Sequence, residues 1–104
     1  MSQTLALADD LYPDLLDGKK RCTVRAGKRA IELGYLEFES ASGTLPRIPV
    51  DVNNVRYVRA GAIPDDVAQR DGALNGIELF NALHRFYPDL GPDDTVTVVD
   101  FELW

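Results

Sequence analysis

Gly18-Lys19-Lys20-Arg21-Cys22-Thr23-Val24-Arg25-Ala26-Gly27-Lys28-Arg29 reads as a short strand with a glycine near each end. Within it, Arg21 to Arg25 combines β-branched residues with a period-2 alternation, so Cys22 and Val24 face one way and Arg21, Thr23 and Arg25 the other. Six of the eleven Lys and Arg residues lie in this stretch, although the 104-residue chain carries a formal net charge of −6. Clustered cations repel one another and lose entropy when pinned, which points them at an anionic or polar ligand. Lysines on an exposed strand also discourage edge-to-edge association, and charge alone favours that solvated reading.

Working outward, the chain reads as a single domain spanning 1–104, too short for a second hydrophobic core. A hydrophobic fraction of 45% and a charged fraction of 27% are those of an ordinary globular protein. The negative net charge argues against a general nucleic-acid coat protein, because a basic patch would act against the overall field. Cys22 is the lone cysteine and His84 the lone histidine, so neither an internal disulfide nor a Cys/His zinc cage can form, and no metal or cofactor is expected. No leader-like or membrane-spanning run is present, which gives a cytoplasmic expectation with no membrane partner. Oligomeric state stays open, a monomer being the simplest expectation.

Upstream of the basic strand, Thr4 to Ala8 is a short apolar start, and Asp9 and Asp10 offer N-cap chemistry for a brief helix carrying Leu11, Leu15 and Leu16. Gly18 suits the position just past that helix. Downstream, Gly34 to Glu39 alternates as a half-buried strand with Leu36 and Phe38 inward. Ile48 to Val52 opens another strand whose inward phase switches from even to odd residues at Asn53-Asn54. A bulge in one long strand or a hairpin turn explains the switch, and the bulge is preferred because bent strands close small sheets.

Pro64-Asp65-Asp66 opens a short helix ending near Asp71-Gly72. A second helix is capped by Asn75 and Glu78 and places Ile77, Phe80, Leu83 and Tyr87 on one face until Pro88. Thr95 to Trp104 closes the chain as a strand that is apolar on both faces at Val96, Val98 and Val99. Short strands with helices grouped between them give an α+β fold, a small open barrel. Tyr57 and Trp104 are expected in its core, Cys22 as an inert core thiol, and His84 as a packed or surface residue.

Hydrolysis without a metal needs a nucleophile, a base and a group that orients the base. Thr23 and Lys20 supply the first two, since a lysine among like charges can accept a proton from a hydroxyl. On a regular strand these two residues would point to opposite faces, so the pair requires Lys20 to sit in the turn after Gly18 or beside a bulge.

Gly18-Lys19-Lys20-Arg21-Cys22-Thr23-Val24-Arg25 resembles the G-x-K-x-x-[ET]-x-R signature of the ASCH domain family, within the PUA-like superfamily of small β-barrels. Asp14 to Gly18, Ala68 to Gly72, the segment Leu79 to Pro88 ending in Phe86-Tyr87-Pro88, and the strand Val96 to Glu102 follow in the family's order. The resemblance implies a PUA-like β-barrel with short helices grouped around it. It is nearest the small bacterial N4-acetylcytidine amidohydrolases, in which a lysine, a threonine and a glutamate line the pocket. Their counterparts here would be Lys20, Thr23 and, with a one-residue length difference, Asp71, which is one methylene shorter than glutamate. Glu78 is the rival acid; Arg25, the signature's second cation, is a candidate to bind substrate or to pair with an internal acid such as Asp71, and Arg21 is a second substrate-binding candidate. The implied partner is a small acylated nucleoside or, for a non-catalytic and possibly regulatory module, single-stranded RNA or a nucleotide.

Overall fold

The computed structural model describes residues 3–104, which form a five-stranded sheet with three short helices. The strands are β1 (Gln3–Leu7), β2 (Cys22–Ala26), β3 (Gly34–Ser40), β4 (Ile48–Arg59) and β5 (Thr95–Leu103), in the spatial order β1-β3-β4-β5-β2. The sheet curls into a half-barrel of the PUA-like kind. The helices are α1 (Tyr12–Leu16), α2 (Asp65–Arg70) and α3 (Gly76–Leu83). No helix among the described residues is long and apolar enough to cross a membrane.

The phase switch at Asn53-Asn54 is a bulge. β4 runs unbroken for 12 residues, and its register on β5 jumps from Val52 opposite Phe101 to Asn54 opposite Asp100. The extra residue bends the strand. β5 is apolar on both faces because it separates two cores. Val99 and Phe101 join one cluster with Leu15, Leu36, Phe38 and Val50, whereas Val96 and Val98 join another with Val24, Val67, Leu79 and Leu83. Helices α2 and α3 cover the second cluster.

Several expectations are corrected. The apolar start is a true strand, β1, paired parallel to β3 with Leu5 and Leu7 buried. Asp9 and Asp10 cap nothing with their side chains; a 3₁₀ turn at Asp9–Leu11 leads into α1, Asp9 accepts from Ser42, and Asp10 pairs with Arg85. Tyr12 is buried in place of Leu16, which is exposed. On α3, Ile77 is 76% exposed, and Gly76, Leu79 and Leu83 make the buried face. That helix ends at Leu83 and Tyr87 follows in a turn. Trp104, 70% exposed, packs edge-on against Tyr35, and Tyr57 lies on the surface with Lys28 over its ring. His84 is packed as expected, its ring nitrogens 2.9 and 2.7 Å from the carbonyl oxygens of Phe80 and Leu90.

Gly76 sets the docking of α3. A Cβ at this position would lie 2.0 Å from the Ile63 carbonyl oxygen, so the helix start rests directly on backbone. Helix propensity alone makes Gly76→Ala stabilising by about 1 kcal/mol. The close approach reverses the sign, and a loss of about 1–3 kcal/mol in urea unfolding is expected.

Candidate active site

The basic strand does not present its cations on one surface. Lys19 is exposed beside Asp17, Arg21 is exposed, and Lys28 lies over Tyr57. Lys20 is only 4% exposed. Lys20, Thr23 and Arg25 line a cavity of about 400 Å³ between β1, β2 and α3, a size typical of small-molecule sites. Its apolar wall includes Ala6, Leu7, Val24, Leu79, Leu83 and Phe86.

Local backbone geometry brings Lys20 there. Gly18, at a φ of +83°, ends α1 in the left-handed region that glycine adopts readily. The Lys20 N–H donates to the Asp14 carbonyl at 3.0 Å, so Lys20 still belongs to the turn, and β2 begins only at Cys22. This position removes the objection that Lys20 and Thr23 would point to opposite faces. The next amide, Arg21 N–H, donates to the Arg70 carbonyl at 2.8 Å and ties the start of β2 to the end of α2. Asp71 is the residue after Arg70, and its carboxylate therefore meets the Lys20 ammonium in a buried ion pair. The shorter acid reaches. Glu78 also lines the cavity, but it is exposed and its carboxylate accepts from the Leu74 N–H at 3.3 Å.

Three side-chain groups attend to free backbone along the seam between the edge strands. Arg21 C=O accepts from Phe101 N–H, and Gly27 N–H donates to Thr95 C=O, which fixes the odd residues of β2 as those bonded to β5. Cys22 and Val24 consequently turn their peptide groups outward. The Lys20 ammonium donates to the Cys22 carbonyl at 3.0 Å, and the Val24 N–H lies near enough to the Asp71 carboxylate to favour its ionised form. Arg25 crosses the seam, donating to Ala6 C=O on β1 at 2.6 Å, and its Nε donates to Thr23 Oγ1 at 3.0 Å. Tyr87 stands beside the same guanidinium and accepts from Arg29 at 3.4 Å.

Burial pushes the Asp71 carboxyl above its ordinary range, against the opposing pull of Lys20 and Arg25. Burial likewise lowers Arg25 from its ordinary value. The Cys22 thiol is pushed up by burial, with Asp71 and Asp100 adding to the effect, and is an inert thiol as expected.

Of the residues singled out in the sequence, Lys20, Thr23, Asp71 and Arg25, with the rival acid Glu78, therefore line one cavity. Arg21 is exposed and lies outside its lining. Sequence reasoning missed Ala6 and Phe86, and assigned Tyr87 only to a helix face. The Phe86-Tyr87-Pro88 segment carried a signal, but the role of Ala6 is a backbone carbonyl that no side-chain pattern encodes.

Removing one partner of a buried pair leaves the other charge uncompensated. Lys20→Met is expected to cost about 3–5 kcal/mol in urea unfolding. The isolated Asp71 carboxyl would have a folded-state pKa above its unfolded one, so the variant should be least impaired at acid pH and lose stability as pH rises through that value. A loss that grew toward acid pH would contradict this arrangement.

No family model matches the chain and no curated protein matches it. Solved structures do share its architecture. A crystallised Enterococcus faecalis protein described as DUF984 superimposes with a TM-score of 0.82 at 15% identity, over 100% of this chain and 77% of that one. The ASCH domain from Lactobacillus crispatus gives 0.73 at 15% identity over 97% and 79% of the two chains. A Zymomonas mobilis ASCH protein gives 0.64 at 12% identity over 95% and 67%. At these identities the likeness is one of backbone architecture, and on that ground the chain has the ASCH-domain fold.

Proposed function

We propose that the chain is a metal-independent amidohydrolase that deacylates N4-acetylcytidine or a close acylated relative. One observation carries the reading. A buried Lys20–Asp71 pair and a threonine hydroxyl held by Arg25 line the same largely apolar cavity.

Arg25 engages one lone pair of Thr23 Oγ1, leaving the hydroxyl proton to be given elsewhere. Lys20 first passes a proton to the Asp71 carboxyl, which burial has made more basic, and as the neutral amine accepts the Thr23 proton. The Thr23 oxygen attacks the amide carbonyl carbon, and the Arg25 guanidinium stabilises the developing oxyanion. Collapse breaks the C–N bond, Lys20 returns the proton to the departing cytosine amino group, and water cleaves the acyl–threonine ester to release a carboxylate. Asp71 orients Lys20 throughout.

Incubation with N4-acetylcytidine, with cytidine release followed by chromatography, tests the reaction. Thr23→Ala and Lys20→Ala should each remove most of the activity, and the double variant should lose little more, because members of a catalytic unit are not additive. The acid limb of kcat/KM should lie above the ordinary aspartate range, in keeping with the raised Asp71 carboxyl. Absence of turnover, with tight and salt-sensitive binding of single-stranded RNA instead, would move the assignment to a binding module.

A further inference from the structure

The charges around the cavity are not fully matched by its own side chains. Lys20 and Asp71 neutralise each other, and Arg85 is matched by Asp10 through bonds of 2.9 and 3.0 Å. Arg25 has no carboxylate bonded to it among the described residues. Its side-chain hydrogen bonds end on the Thr23 hydroxyl and the Ala6 carbonyl, with the Tyr87 phenol alongside. A guanidinium carries five N–H donors, so Arg25 has capacity left for an acceptor inside the cavity. Burial already works against its charge, and an anion placed on it would relieve that cost.

The surroundings narrow the kind of anion. Leu7, Leu11, Leu79, Leu83 and Phe86 give the cavity an apolar wall on which a hydrocarbon chain gains by burial. Asp14 and Glu78, more exposed than Lys20 and Thr23, also line it and repel a multiply charged ligand more than a singly charged one. One unmatched positive charge, an apolar wall and acids nearby suit a single carboxylate better than a phosphate.

We infer that the cavity binds an aliphatic monocarboxylate, with its anion on the Arg25 guanidinium and its chain along the wall between β1 and α3. This inference deepens the deacylation reading and rests on it only for its biological meaning: the ligand is then the carboxylate product, and the protein is inhibited by what it releases. Binding itself needs no turnover.

The test is an NMR titration of isotope-labelled protein with sodium acetate, butyrate and hexanoate at constant ionic strength, with hexanol and inorganic phosphate as comparison probes. Shifts should concentrate on residues 20–25 and 79–87, and affinity should rise up to roughly fourfold per methylene buried. Phe86→Ala, a partly exposed position, should flatten the chain-length dependence while acetate still binds. Arg25→Gln should abolish carboxylate binding. Because Arg25 also ties the seam, hexanol binding to wild type provides the control if that variant does not fold.

Hexanol binding as tightly as hexanoate, phosphate displacing hexanoate, or no hexanoate response around residues 20–25 would each overturn the inference. Hexanoate binding without any deacylation of N4-acetylcytidine would leave the carboxylate site standing and remove the proposed reaction. Deacylation of N4-acetylcytidine by protein that shows no hexanoate response around residues 20–25 would do the reverse.

Discussion

An open sheet has two edges, and the peptide groups along them must be satisfied or left to water. Here the edges are β1 and β2, and they face each other across the seam of the half-barrel. No ladder joins them among the described pairings. Instead Lys20 takes the Cys22 carbonyl, Arg25 takes the Ala6 carbonyl, and the Asp71 carboxylate lies near the Val24 amide. The charged groups of the candidate site are thus also the groups that finish the edges. A closed ladder would satisfy the same backbone atoms and leave no cavity.

This arrangement explains why the chain keeps charge where hydrocarbon would be cheaper. A buried ion pair often contributes no more stability than apolar residues of similar volume, because desolvation offsets the attraction. The pair recovers part of that cost through the Cys22 carbonyl that Lys20 engages. The supports around them are structural: the Arg21 to Arg70 main-chain bond places Asp71, and Arg70 is itself held on Asp100 at 3.1 Å. Asp100 also accepts from Asn54 at 3.3 Å, next to the bulge in β4. The bend that curls the sheet and the residue that positions the acid are therefore linked through one carboxylate.

Much of this was readable from residue order. The alternation of β3, the phase switch at Asn53-Asn54 and the two-faced apolarity of β5 are direct imprints of burial on sequence. The Asn75 cap is present, with its side chain accepting from the Glu78 N–H at 2.9 Å, although Glu78 then turns to Leu74. β1 was harder to see because five residues with two buried leucines carry little periodic signal, and its parallel partner is remote in sequence. The buried face of α3 was misjudged because it follows from a backbone contact at Gly76, which hydrophobic spacing does not encode. At the site, residue types were legible from the motif. Their meeting was not, since it depends on a peptide-to-peptide bond between residues 21 and 70.

The seam also governs motion. Two strands in a ladder share a row of hydrogen bonds and separate only when the row fails together. Across this seam the bond from Arg25 to the Ala6 carbonyl is made by a long, rotatable side chain. Small partings of β1 from β2 can therefore be absorbed by rotamer changes in Arg25, without unfolding either strand. Breathing along one edge would widen the cavity, and the residue that yields is the one to which the proposed anion is assigned.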